Sequence, residues 1–395
     1  MLRRLAVQTS GESHGAGMLA QIVGFPAAWR VDISAIDAQL ARRQAGFGRS
    51  TRQALEHDRV ELLAGVQRGR TTGAPLALRV ANVDDDLANK PPLHRPRPGH
   101  ADLAGGQKYG TTDMRSVLER ASARETAARV AAGALAAQLL EALGVELLGV
   151  VVALGPVTAP GAEPRRALGA QRARRDRSPF HVLARDAEPG MEQAVLAARS
   201  EGDTLGGVVE VVARGVPAGL GSLDGFATRL DARLGAAILS IPAFKAVEIG
   251  DAVAAAGARG SAVHDEILAP GAAGPRRASN RAGGVEGGMS NGEPIVVRGH
   301  MKPLATLRRA LRSYDYARGT AAEAFFERSD VTAVPAAAIV AEAMIALVLL
   351  DALLEKTGGD AVPEVRAGLR RHRAAIARRF GRKRRGRRRA PPATR

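Results

Sequence analysis

Cysteine is absent from all 395 residues. No disulfide framework, thiolate metal site or cysteine nucleophile is therefore available, and the chain suits a reducing compartment. Aromatic residues make up only 3%, so a core must be built from Ala, Val and Leu, for which a hydrophobic content of 46% is ample. His-x-x-His, His-Glu-x-x-His and EF-hand spacings do not occur, which argues against a metal site. No charged–apolar–small pattern opens the chain, because Gly11, Glu12 and His14 interrupt it; a secretory signal is not expected, and a cytoplasmic location is. The longest apolar run, around residues 335–354, contains Glu342 and Asp351 and is preceded by Thr332. With Pro335 at its first turn it reads as a buried helix and not a membrane span.

Acidic residues are scarce in one place only. Residues 363–395 hold 14 Lys or Arg and one Glu, so this stretch carries +13 of the net +17 and leaves the body near +4. It reads as a disordered, solvated tail able to touch polyanions nonspecifically. Interleaved aromatics and nucleic-acid motifs are missing, so specific nucleic-acid recognition is not expected.

What is present is a stiff cationic octet, Arg95-Pro96-Arg97-Pro98-Gly99-His100-Ala101-Asp102. The prolines fix φ, the guanidinium forks match carboxylate or phosphate, and the His100 imidazole is a residue type suited to proton transfer. Such a segment suits anion binding with proton transfer, or is a turn whose histidine is merely satisfied. A second motif, Gly11-Glu12-Ser13-His14-Gly15, lets the backbone turn sharply and presents Ser13 and His14. It lacks the G-x-S-x-G spacing, so Ser13 is not read as a hydrolase nucleophile. Residues 105–111 have P-loop glycine spacing without its lysine, so a nucleotide-triphosphate site is rejected.

Period 3.6 predicts helices over residues 32–44, 113–143, 191–201 and 228–239, and strands are expected near 5–9, 18–23, 60–66, 75–80, 145–154, 207–212 and 294–298. The alanine-rich helix 113–143 places Arg120 and Arg124 on one face, either as solvated salt bridges or aimed at a ligand. Residues 155–179 read as a surface excursion. Length permits two domains or one large core, and the irregular element order argues against a doubly wound sheet.

Taken in order, these motifs closely resemble the chorismate synthase family. The resemblance is carried by Gly11 to Gly15, Arg95 to Asp102, residues 119–128, Lys245 with Val247-Glu248-Ile249-Gly250, residues 280–292, Lys302-Pro303 and Arg328-Ser329-Asp330. It covers about residues 1–358, read as one catalytic domain, with 359–395 left as the basic tail. It implies an α+β fold, a β–α–β sandwich with helices between antiparallel or mixed sheets, assembled as a homotetramer. It also implies reduced FMN and a 1,4-anti elimination of phosphate from 5-enolpyruvylshikimate 3-phosphate, giving chorismate. NADPH enters only indirectly, through an external flavin reductase.

By the same resemblance His14 protonates or stabilises the flavin, His100 acts as general acid toward the departing phosphate, and Asp330 assists removal of the substrate proton. Ser13, Arg43, Arg49 and Arg97 are substrate-binding positions. Arg120, Ala121, Ser122, Pro242, Ala243, Gly287, Lys302, Pro303, Leu304, Ala305, Thr306 and Arg328 are cofactor-binding positions. Ser50, Pro242 and Ala246 depart from the family pattern. An inactive flavin-binding relative, or a polyanion-binding protein acting through the tail, are the alternative readings.

Overall fold

The longest helix, Val334–Thr357, is apolar on every side, and each residue from Val334 to Leu354 is buried. A helix without a polar face has to sit inside the protein, and this one forms the centre of the computed structural model, which describes residues 2–49, 57–327 and 329–381. Among the described residues it is the one helix long and apolar enough to cross a membrane, and its whole apolar window is covered by protein.

The second central helix, Thr126–Ala142, packs along it. Alanine supplies the small side chains this needs, and Gly133 is the closest point. A Cβ there would lie 2.4 Å from the Ala343 Cβ and 2.5 Å from the Ala343 carbonyl oxygen. A third helix, Ile33–Gln44, begins at an Asp32 cap that accepts the Ala35 N–H, and it packs beside both.

A sheet closes each side. The first has the order Ala6–Ser10, Gly17–Val23, Leu76–Ala81, Val60–Ala64, all antiparallel. Its alternation is regular: Met18, Ala20 and Ile22, with Leu76, Leu78 and Val80, point inward toward Thr126–Ala142. The second has the order Phe244–Ile249, Ile295–Met301, Gly207–Arg214, Glu146–Leu154, Val157–Thr158, also antiparallel, and lies against Val334–Thr357. The expected α+β sandwich of sheet, helices and sheet is what the chain forms.

Three expectations need correction. Residues 155–179 are not a loose excursion: the helix Gly169–Asp176 covers the outer face of the second sheet, where buried Leu168 joins Leu148, Val150 and Val212. That is why those strands are apolar on both faces. The helix expected over 113–143 is broken into Arg115–Ala121, a 3-10 turn Ala123–Glu125, and Thr126–Ala142. Ser122 is extended there and its hydroxyl accepts the Arg124 N–H at 3.3 Å. Finally, the basic stretch expected to be disordered is helical over Val362–Phe380, because Val362, Val365 and Leu369 form an apolar stripe buried against the core.

The chain start is tied to the far end of the central helix. Asp351, fully buried, accepts the backbone N–H of Arg4 at 2.7 Å and of Leu5 at 2.6 Å, and pairs with the buried Arg233.

Gly133→Ala is expected to destabilise the protein by about 1–3 kcal/mol, because overpacking outweighs the helix propensity gained, roughly 1 kcal/mol. A urea midpoint equal to or above that of the wild type would show that the two central helices do not touch there.

Candidate active site

At one end of the central helices, several loops converge on a cavity of about 290 Å³. Its apolar floor includes Ala333, Ala336, Ala337 and Val340, from the start of the long helix. Its walls come from the turn after the first strand, the octet, the break at Ser122, the segment before Phe244, and the segments around residues 301–306 and 327–330.

The first turn depends on Gly11, whose φ of 110° and 2.2 Å approach of a would-be Cβ to the Gly17 carbonyl oxygen admit no side chain. It delivers Ser13 and His14, both buried. Glu119, fully buried, holds this turn from below. Its carboxylate accepts the His14 backbone N–H at 3.0 Å and lies 2.9 Å from His14 Nδ1, while its carbonyl accepts the Ser13 N–H at 3.1 Å. An acceptor at Nδ1 puts the proton there and leaves Nε2 as the exchangeable atom; the Asp84 carboxylate stands 3.7 Å from Nε2. Burial pushes the Glu119 carboxyl up, but the hydrogen bonds and charge of His14, with Arg115 behind, outweigh it and hold the group below its ordinary value.

The octet builds a second such pair. Fully buried Asp102 accepts the Arg97 N–H at 3.0 Å and Arg97 Nε at 2.9 Å, and forms a short contact with His100 Nδ1. Burial would raise this carboxyl as well; His100 and Arg97 reverse the effect and keep it far below the carboxylate range. Arg97 Nη1 donates to Thr306 Oγ1 at 2.8 Å, which ties the octet to the 301–306 segment. The octet is a turn in which His100 both pairs with Asp102 and lines the cavity.

Positive charge dominates the rest of the wall. Buried Asp58 pairs with Arg124 at 2.6 and 2.8 Å and with Arg43 at 3.2 Å. Arg43 also reaches Thr126 Oγ1 at 2.9 Å and the Ala123 carbonyl at 3.2 Å. Arg49 pairs with Asp330 at 2.9 Å, and its Nε is buried without a hydrogen-bond partner among the described residues. Among the described residues, four guanidinium groups, Arg43, Arg49, Arg97 and Arg124, line the cavity against two carboxylates, Glu327 and Asp330. The arrangement suits a polyanionic ligand.

Of the positions singled out in the sequence, Ser13, His14, Arg43, Arg49, Arg97, His100, Ser122, Pro242, Leu304, Ala305, Thr306 and Asp330 line this cavity. Ser122 Oγ donates to Ser13 Oγ at 3.1 Å, linking two of them. Arg120, Ala121, Ala243, Gly287, Lys302 and Pro303 do not line it. Arg120 turns outward and donates to the Thr9 carbonyl and hydroxyl, both at 2.9 Å. The one face expected for Arg120 and Arg124 is lost because the helix breaks between them. Ala243 takes φ of 70°, a strained conformation for alanine, and its carbonyl accepts the Lys302 N–H at 3.0 Å. Burial, then the nearby Lys245, lowers the Lys302 ammonium from its usual value. Gly287 lies in the hairpin between Val285–Glu286 and Met289–Ser290, away from the cavity. Arg328 and Ser50 fall outside the described residues.

Three residues of the site went unread as partners: Glu119, Asp58 and Glu327. Glu119 carried one usable signal, its i,i+4 spacing from Arg115, realised as a 3.5 Å contact.

A family model for chorismate synthase matches residues 5–354. The chain is 52% identical over 388 residues to a chorismate synthase of Acidothermus cellulolyticus, an alignment covering 93% of this chain and 97% of that protein. It is 50% identical over 389 residues to one from Thermobifida fusca, with 94% and 98% covered. A crystal structure of a chorismate synthase superposes with a TM-score of 0.79 at 37% identity, over 96% of this chain and all of the other.

Because Glu119 has a lowered pKa in the fold, its ionised form stabilises the protein above the unfolded value near 4.5, and that contribution is lost as pH falls through the folded value. Glu119→Gln is therefore expected to lose less stability than the wild type between neutral and acid pH, compared by urea midpoints at each pH. An identical acid loss in both proteins would show that the carboxylate is not held ionised by His14.

Proposed function

The chain belongs to the chorismate synthase family of lyases, and we propose that it performs the FMN-dependent 1,4-anti elimination of phosphate from 5-enolpyruvylshikimate 3-phosphate, yielding chorismate, the last step of the shikimate pathway. The observation that carries this reading is the convergence of four arginines and two carboxylate-held histidines on one cavity. A substrate with two carboxylates and a phosphate needs that many guanidinium groups.

The cavity residues fit a flavin mononucleotide. Ile241, Pro242, Met301 and Leu304 offer apolar surface for a ring system, and Thr306 supplies a donor for its phosphate. The strained Ala243 backbone beside Pro242 and the buried Arg49 Nε, which has no hydrogen-bond partner among the described residues, fit a ligand-binding site. Reduced FMN, when bound, supplies transient electron donation with no net redox change.

The side chains do the rest. Arg43, Arg49, Arg97 and Arg124 bind and orient the anionic substrate, with Ser13 beside them. His100, oriented by Asp102, delivers a proton to the departing phosphate oxygen as the carbon–oxygen bond breaks. His14, oriented by Glu119, manages the proton of the flavin. Asp330, held by Arg49, assists loss of the substrate proton. We also take residues 1–358 as one catalytic domain and 359–395 as a basic extension, and the working form as a cytoplasmic homotetramer served by an external flavin reductase, so that NADPH acts only indirectly.

Anaerobic turnover with 5-enolpyruvylshikimate 3-phosphate, FMN and dithionite is expected to release chorismate and phosphate in equal amounts. His100→Ala should reduce kcat by about 10²–10⁴-fold, the usual worth of a general acid. Absence of chorismate from the wild type with flavin bound would sink the assignment; an unimpaired His100→Ala would remove the acid role.

A further inference from the structure

The acidic loop that follows the strand Leu76–Ala81 takes no part in the chemistry above, yet one of its side chains reaches the site. We propose that Asp84 passes a proton between His14 Nε2 and solvent, a role that rests on the reading of His14 as the residue that manages the proton of the flavin.

The loop is built to put Asp84 there. Asn82, the first residue after the strand, donates from Nδ2 to the Glu12 carbonyl at 3.0 Å and to the Gly15 carbonyl at 2.6 Å, and its Oδ1 accepts Arg124 Nε at 2.8 Å. These bonds clamp the loop onto the turn that carries Ser13 and His14. Two residues on, the Asp84 carboxylate stands 3.7 Å from His14 Nε2. Lys90 also holds it, with Nζ 3.3 Å from each oxygen. Of the three consecutive aspartates, Asp85 and Asp86 are exposed and Asp84 is half-buried.

The two carboxylates at the His14 ring differ in the property that proton exchange needs. Glu119, at Nδ1, is fully buried, so it fixes the ring but has no contact with water. Asp84, at Nε2, keeps 35% of its side chain exposed. The His14 side chain is only 5% exposed, and it lines the cavity that a ligand would fill. With that cavity occupied, Asp84 is the solvent-touching carboxylate beside Nε2 among the described residues. A gap of 3.7 Å is longer than a hydrogen bond. One bridging water or a small shift of the carboxylate closes it, and contacts of this kind tighten when a site is loaded.

The step balances without a further reactant. Nε2 takes up a proton and the ring becomes an imidazolium. That N–H bond breaks as an O–H bond forms on Asp84, and the carboxylic acid then gives the proton to water. No electron changes hands, and the reverse sequence returns a proton to the ring.

The test compares the wild type with Asp84→Asn, Asp84→Ala and Asp85→Asn. Asparagine keeps the size of the side chain but cannot carry the proton, and alanine leaves room for a small carboxylate from solution. Proton exchange at His14 Nε2 is followed by nitrogen relaxation NMR on protein carrying isotope-labelled histidine, with and without FMN. The His14 signal is identified by its loss in His14→Gln. Anaerobic turnover is measured with and without formate. Both Asp84 variants should exchange more slowly and lose about 10²-fold in kcat, the low end of what a positioned proton-transfer group contributes. Formate should restore exchange and turnover in Asp84→Ala and leave the wild type unchanged, and Asp85→Asn should behave as the wild type. A residue that only shapes the loop would tolerate asparagine and gain nothing from formate. Thermal melting checks that each variant is folded. Unchanged exchange at Nε2 in Asp84→Asn, or a loss in Asp84→Ala that formate does not restore, would overturn the proposal. If the wild type makes no chorismate, the assigned reaction fails on its own, and the exchange measurement still decides the role of Asp84.

Discussion

Two guanidinium groups converge on one buried carboxylate at Asp58, and the wall of the site is built on that cluster. Arg124 takes both oxygens of Asp58 and Arg43 takes one. Burying such charges is costly unless they are paired and hydrogen-bonded. The fold meets this by giving further donors of the two arginines neutral acceptors, the Ala81 and Ala123 carbonyls, Asn82 and Thr126. The two guanidinium groups are thereby fixed in the cavity wall, where they can meet an anionic ligand.

The two histidines solve a related problem in the wall of the same cavity. Each ring has its Nδ1 against a buried carboxylate, and each carboxylate is itself fastened to backbone N–H and to an arginine. A ring held at one nitrogen has one tautomer and one orientation. Proton handling at the other nitrogen therefore needs no rearrangement of the wall. The price in stability of burying Glu119 and Asp102 is offset by the same contacts that orient the rings.

Much of this was legible before any coordinates. The Asp32 cap, the alternation in 18–23 and the 334–354 run, apolar but for Glu342 and Asp351, are local patterns, and local patterns translate directly into elements. Glycines that admit no Cβ, such as Gly11, point to sharp turns in the same way. What stayed hidden is nonlocal. Nothing near Asp58 in sequence says that it meets residues 43 and 124. The break at Ser122 was masked by alanine, whose helix propensity runs unbroken through it. The terminal helix was masked by charge, because three buried apolar residues in nineteen are enough to dock it but too few to stand out among six arginines. Arg120 is the reverse case: unbroken helical spacing would place it with Arg124, but the break at Ser122 separates the two.

The anchoring of the first residues by Asp351 sets an order of events during synthesis. Backbone N–H groups of residues 3–5 are satisfied by a side chain that leaves the ribosome about 346 positions later. The first strand can pair with its neighbour early, but its leading edge has no acceptor until nearly the whole chain has been made. Contacts this distant in sequence are the slow ones to form. The amides of residues 3–5 therefore take their final partner only after the central helix has been made, and that late closure follows from the residue that holds them.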